Sequence, residues 1–138
     1  MEVGDVLQGQ GRNYQRLGKL PEAERSLRRS LAIRQARFGP TSSPSARTRM
    51  LLGKVLTDAK RYPEADELLR IADENFRKNE GVADQKTQDA IQARIALYKA
   101  WGKTDKAKEL EAALAPAKAG GRETWRDRRD TSSRGSTS

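Results

Sequence analysis

Apolar residues recur along this chain at helical spacing in six stretches, paired by short turns and separated pair from pair by longer loops. In the first stretch Val6, Leu7, Tyr14 and Leu17 fall along one side of a helix, with Gly11 between them. The turn Gly18-Lys19-Leu20 follows, and Pro21 opens a second helix where its missing N–H costs nothing. Ala23, Leu27, Leu31 and Phe38 form an apolar row on that helix, and Gly39-Pro40-Thr41-Ser42-Ser43-Pro44 stops it. Met50, Leu51, Leu52, Val55 and Leu56 mark a third helix. Leu68, Leu69, Ala72 and Phe76 mark a fourth, with Pro63 just inside its start. From about Asp84, a fifth helix carries Ile91, Ile95, Leu97, Tyr98 and Trp101, and a sixth Ala107, Leu110, Ala113 and Leu114. Pro116 and Gly120-Gly121 are expected to end regular structure.

The pattern has a period. Ala23, Ala65 and Ala107 stand 42 residues apart, and their surroundings match at the same offset. Gly-Lys-Leu-Pro-Glu-Ala-Glu (Gly18 to Glu24) becomes Lys-Arg-Tyr-Pro-Glu-Ala-Asp (Lys60 to Asp66), then Gly-Lys-Thr-Asp-Lys-Ala-Lys (Gly102 to Lys108). Gly11 returns as Gly53, Gly39 as Gly81, and Tyr14 as Leu56 and then Tyr98. A fixed period in this range predicts an all-α stack of helix pairs rather than a globular enzyme fold. The units run over about 3–41, 43–83 and 84–115, a single repeat domain at 3–115. Gly11 with Ala23, and Gly53 with Ala65, are expected where two helices approach closely, with Tyr14, Leu27, Leu56 and Leu69 filling the space beside them. Residues 116–138, rich in Arg, Ser and Thr, read as a disordered basic tail.

Composition narrows the function. Apolar residues make up 35% and charged residues 34% of 138, which suits thin layers whose helices bury one stripe and wet the rest. No apolar run approaches the ~20 residues of a membrane span, and Met-Glu-Val-Gly-Asp lacks the regions of a signal peptide. Without cysteine there is no disulfide framework and no thiolate metal site, and a cytoplasmic setting is the expectation. Without histidine as well, the sequence offers no catalytic residue, no metal site and no cofactor site. Gly9-Gln10-Gly11 is half of a phosphate-loop fingerprint, with no strand before it and no third glycine. The net charge of +9 gathers at the ends: +4 over residues 1–38, +2 over 39–115 and +3 over 116–138. Arg126, Arg128, Arg129 and Arg134 with Trp125 could contact a nucleic acid, but Asp127 and Asp130 interrupt the run. Thr131, Ser132 and Ser133 follow basic residues as kinase substrates often do.

These residues resemble tetratricopeptide repeats, in which Gly, aromatic, Ala and large apolar residues recur at set offsets through a helix pair. The 42-residue period, Pro-Glu-Ala-Glu (Pro21 to Glu24), Leu-Ala-Ile-Arg (Leu31 to Arg34) and Phe-Gly-Pro with Pro44 look like the kinesin-light-chain type. That type is also common in bacterial regulatory proteins, including C-terminal regions of some Ser/Thr kinases. The resemblance is weaker in unit three, where Asp105-Lys106 replaces Pro-Glu and Glu111 falls at the Leu27 and Leu69 position.

The resemblance implies an α-solenoid, a right-handed superhelix of three helix-turn-helix units. It further implies a non-enzymatic scaffold that binds a peptide or partner protein along a concave groove lined by first helices. Groove positions would then be Gln8, Arg12 and Gln15 in unit one, Arg47, Met50 and Lys54 in unit two, and Asp89, Gln92 and Lys99 in unit three. Arg12 and Lys54 stand one period apart and would form a basic column suited to an acidic peptide. The Asn/Lys/Arg clamp that some members use for a peptide carboxylate is not reproduced, Asn13 being the only asparagine in a first helix. The alternative is a detached C-terminal regulatory segment of a larger signalling enzyme such as a bacterial Ser/Thr kinase. Weak nucleic-acid binding through the basic ends ranks below it. No polar capping helix is evident beyond Leu114, so the array reads as a fragment of a longer protein or one that forms homo-oligomers through an uncapped end.

Overall fold

The computed structural model describes residues 3–118, and the 42-residue period of the sequence reappears in its backbone. Six helices follow in order: α1 (Val3–Arg16), α2 (Leu20–Phe38), α3 (Ser43–Asp58), α4 (Tyr62–Glu80), α5 (Gln85–Ala100) and α6 (Thr104–Lys118). The tight turn inside each pair is built the same way three times. Gly18, Lys60 and Gly102 take φ of 77°, 63° and 83°. The next N–H then reaches back to a helix carbonyl: Lys19 to Tyr14 at 2.8 Å, Arg61 to Leu56 at 2.9 Å and Lys103 to Tyr98 at 2.8 Å. Lys60 holds this left-handed shape with a Cβ, at a cost of about 1 kcal/mol. The longer loops set up first helices with side-chain caps, Ser42 accepting from the Ser45 N–H and Asp84 from the Lys86 N–H. Second helices α2 and α4 start with Pro21 and Pro63 in the first turn instead.

Packing is strictly between neighbours. Helices pair as α1 with α2, α3 with α4 and α5 with α6, while α2 meets α3 and α4 meets α5. First helix α3 also touches α1 and α5, but α1 does not reach α5. The buried residues form one stripe through the stack, from Ala23 and Leu27 through Leu52, Leu56, Leu69 and Phe76 to Ile91, Leu97 and Ala107. This is the all-α helical repeat expected, with each layer stabilised by the next.

The expected close approaches are present in units one and two. A Cβ built on Gly11 would lie 2.5 Å from Leu27 Cγ, and one on Gly53 2.7 Å from Leu69 Cγ. Ala23 and Ala65 are fully buried beside them. Unit three reverses the arrangement. Ile95 stands at the position of Gly53 and Glu111 at that of Leu69, so α5 now supplies the bulk. Ile95 is buried, whereas Glu111 is exposed and pairs with Lys99 at 3.6 Å.

Three residues expected on apolar faces are exposed: Val6 at 45%, Leu17 at 62% and Phe38 at 45%. One period on from Val6 and Leu17 are Thr48 and Ala59, and two periods on are Ala90 and Trp101. These positions look toward the preceding unit: Thr48 bonds Gln8, and Trp101 stacks on Tyr62 with ring centroids 5.8 Å apart. Among the described residues no helix covers that side of α1, so the same apolar pattern meets water. Phe38 ends α2 with the Arg37 guanidinium 5.3 Å above its ring. Helix α6 runs to Lys118, past the stop expected at Pro116. From residue 119 onward the basic tail expected at 116–138, with Trp125, the four arginines and Thr131 to Ser133, lies outside the described residues. Among the described residues no helix is long and apolar enough to cross a membrane.

Candidate functional site

Arg12, Gln15 and Arg16 recur at spacings of three and four on α1, and Leu51, Lys54 and Asp58 do the same on α3. Such spacings place side chains on one helix face. The two faces meet around an open cavity of about 570 Å³. Its rim is braced from within. Gln15 Nε2 donates to Asp58 Oδ2 across the two helices at 3.1 Å, and Arg16 donates to Asn13 Oδ1 at 2.7 Å. Arg12 and Lys54 have no ion pair or side-chain hydrogen bond among the described residues. Three cations therefore face one carboxylate around the opening, a field that draws anions.

A second cleft, of about 320 Å³, lies between α5 and α6. Its apolar lining is Ile95, Ala96 and Leu114, flanked by Gln92 and by the Lys99–Glu111 ion pair. Ala96 continues the column that begins with Arg12 and Lys54, one period further along. The column is thus charged in two units and apolar in the third.

The nine groove positions expected from the sequence therefore separate. Arg12, Gln15 and Lys54 line the first cavity, and Gln92 and Lys99 the second. Arg47 is half-buried and Asp89 is exposed, accepting from Gln85 at 2.8 Å, and neither lines either cavity. Gln8 and Met50 do not open to a groove, being only 8% and 5% exposed. Gln8 Oε1 accepts from Thr48 Oγ1 at 2.8 Å, in the seam between α1 and α3. Met50 holds the equivalent position in unit two, and Ala90 that of Thr48. A polar pair at the first seam corresponds to an apolar pair at the second. Helical spacing alone cannot tell a face that meets water from one that meets the next helix, hence the correction.

Asn13, Arg16 and Asp58 were absent from the expected set, although Arg16 and Asp58 lie one helical turn beyond Arg12 and Lys54. Leu114 had no such signal, since it comes from a second helix.

A third cavity, of about 430 Å³ among α4, α5 and α6, is lined by Asp66, Arg70, Arg94, Tyr98 and Lys106. Its principal charges are used internally. The Tyr98 hydroxyl donates to Asp66 Oδ1 at 2.6 Å, and Arg94 donates to Asp73 Oδ2 at 2.7 Å. Burial pushes the Tyr98 hydroxyl above its usual range, with Asp66 adding to the effect and Arg94 opposing it. Burial pulls the Arg94 guanidinium down, but Tyr98 and Asp73 outweigh it and raise it. This cluster ties unit three to unit two. Among the described residues no group of three or more His, Cys, Asp or Glu could hold a metal ion.

No curated protein matches the chain. Residues 3–72, which span unit one and unit two as far as Ala72 in α4, match the family model for the tetratricopeptide repeat. With three helix pairs repeating every 42 residues and that match over half its length, the chain belongs to the tetratricopeptide repeat family.

Proposed function

We propose that the face built by α1, α3 and α5 binds a segment of a partner protein, with acidic side chains seated between Arg12 and Lys54. Tetratricopeptide repeats are protein–protein interaction modules, so a polypeptide partner follows from the family. The observation that carries the finer reading is the pair of cations on successive first helices. Arg12 and Lys54 line one cavity, and neither has an ion pair among the described residues. An unpaired guanidinium or ammonium on an open surface gains most from a carboxylate brought by a ligand, through charge-assisted hydrogen bonds. Acidic residues would also speed the encounter by electrostatic steering.

The test is fluorescence anisotropy with a labelled peptide carrying three consecutive Glu, compared with its Gln counterpart. The Glu peptide is expected to bind more tightly, with affinity falling as salt is raised. Arg12→Glu with Lys54→Glu is expected to weaken it by about tenfold or more, since two attractive contacts become repulsive. Equal binding of the Glu and Gln peptides, or indifference to the double reversal, would remove this reading. Both positions are exposed, so the variants should fold, which circular dichroism checks directly.

A further inference from the structure

The two cavities differ in character. The one between α1 and α3 holds Arg12, Arg16 and Lys54, while the cleft between α5 and α6 offers Ile95, Ala96 and Leu114 beside an ion pair that cancels its own charge. We propose, on the groove-binding reading above, that the partner segment is bipartite. An acidic stretch sits between α1 and α3, and one branched aliphatic side chain further along sits in the cleft between α5 and α6. Neighbouring packed helices lie about 10 Å apart, which puts the cleft about 15 Å from the midline of α1 and α3. An extended chain advances about 3.3 Å per residue, so the aliphatic side chain falls about four to five residues from the acidic stretch.

Two other occupants of the cleft fit less well. A further helix pair, seated as unit two sits on unit one, would need the acid that tethers each junction. Glu24 holds Arg61 at 2.6 Å, and Asp66 accepts from the Tyr98 hydroxyl. The third residue of that column is Lys108, a cation. Residues 119–138 hold more cations than carboxylates, so they do not complement the Arg12, Arg16 and Lys54 end of the groove. A segment that spans both cavities must be acidic at one end and apolar at the other.

The experiment uses the full chain and labelled peptides with three Glu, a spacer of five Gly or Ser residues, and a terminal Leu or Ser, made in both orders. In one order, the Leu peptide is expected to bind about tenfold tighter than the Ser peptide, the gain from burying most of one leucine side chain. Shortening the spacer to one residue should remove the gain. Ala96→Gln, which adds bulk without charge at an exposed site, should remove it too. Arg12→Glu with Lys54→Glu should weaken both peptides together.

Equal binding of Leu and Ser peptides in both orders would overturn the bipartite inference and leave the acidic-groove reading standing. A gain that survives Ala96→Gln or the short spacer would overturn the cleft assignment. A gain that appears only with Trp125→Ala would assign the cleft to the chain's own tail and also overturn it. Failure of every Glu peptide to bind would instead count against the acidic-groove reading itself.

Discussion

At equivalent helix crossings, unit two places its large apolar residue, Leu69, on the second helix and unit three places Ile95 on the first. At the crossing of α3 and α4, the first helix is notched at Gly53 and the second supplies Leu69, whose carbons would lie 2.7 Å from any Cβ there. One period later the first helix carries Ile95, and the second carries Glu111. A close-packed interior constrains the volume filled at a crossing and leaves open which partner fills it. Moving the bulk to α5 freed the α6 position for a charge. Glu111 pairs with Lys99 beside the apolar cleft. The same unit loses Arg12 and Lys54 from its column and shows Ala96 instead. Unit three thus differs from its neighbours both inside, at the helix crossing, and outside, in what it shows a ligand.

Point mutations in the two units test that contrast. The largest effect expected is from Ala65→Glu, which buries an unpaired carboxylate in the α3–α4 contact and should cost more than about 4 kcal/mol. Ala107→Glu at the equivalent site should cost less, because among the described residues α6 packs chiefly on α5 and can shift to let water in. Urea unfolding of the two variants measures both; equal losses would show that unit three is as constrained as unit two.

Next is Ile95→Gly, expected to cost about 3–5 kcal/mol through the cavity and the helix penalty of glycine. Adding Glu111→Leu rebuilds the unit-two arrangement and should restore about half of the loss. A double-mutant cycle on unfolding free energies reads the coupling directly. Strict additivity would mean the two positions do not share one space.

A smaller effect separates the turns. Lys60→Gly, matching Gly18 and Gly102, should stabilise the protein by about 1 kcal/mol by relieving the left-handed backbone. Thermal melting would show it as a small rise in Tm, and a fall would mean that the Lys60 side chain matters more than its backbone.

The smallest effect concerns the first junction and acid. Partial burial pushes the Glu24 carboxyl up, but Arg28 and Arg61 outweigh it, so its folded pKa lies below the ordinary value of 4.5. A lowered folded pKa stabilises above the unfolded value, and that contribution is lost as pH falls through the folded one. Glu24→Gln should therefore matter near neutral pH, by about 0.5–1 kcal/mol, and the two proteins should converge in acid. At the second junction the corresponding residue, Asp66, accepts from Tyr98. Parallel stability curves for wild type and Glu24→Gln across the acid range would contradict the account of the first junction.

Much of this was readable in advance because it is local and repeats. The tight turns beginning near 18, 60 and 102, proline in the first turn of α2 and α4, and the Gly11–Leu27 and Gly53–Leu69 pairings follow from backbone geometry and size. Arg12 and Lys54, one period apart in the sequence, line one cavity. Gln8 and Met50 were misplaced because solvent and a neighbouring helix leave the same signature on an amphipathic face. Val6 and Leu17 were misplaced for the converse reason: their periodic equivalents are buried or half-buried and they are exposed.

By itself, then, the order of residues determined six helices, their pairing, the places where two must nearly touch, and the family. Those depend on chain stiffness, side-chain volume and turn chemistry, which act within a few residues of each other. Only the tertiary structure decided that Gln8 bonds Thr48 in a buried seam, that Gln15 reaches Asp58, and that Leu114 from a second helix closes a cleft with Ile95. Each of these joins groups on different helices, and which side of a helix is dry depends on what the stack lays against it.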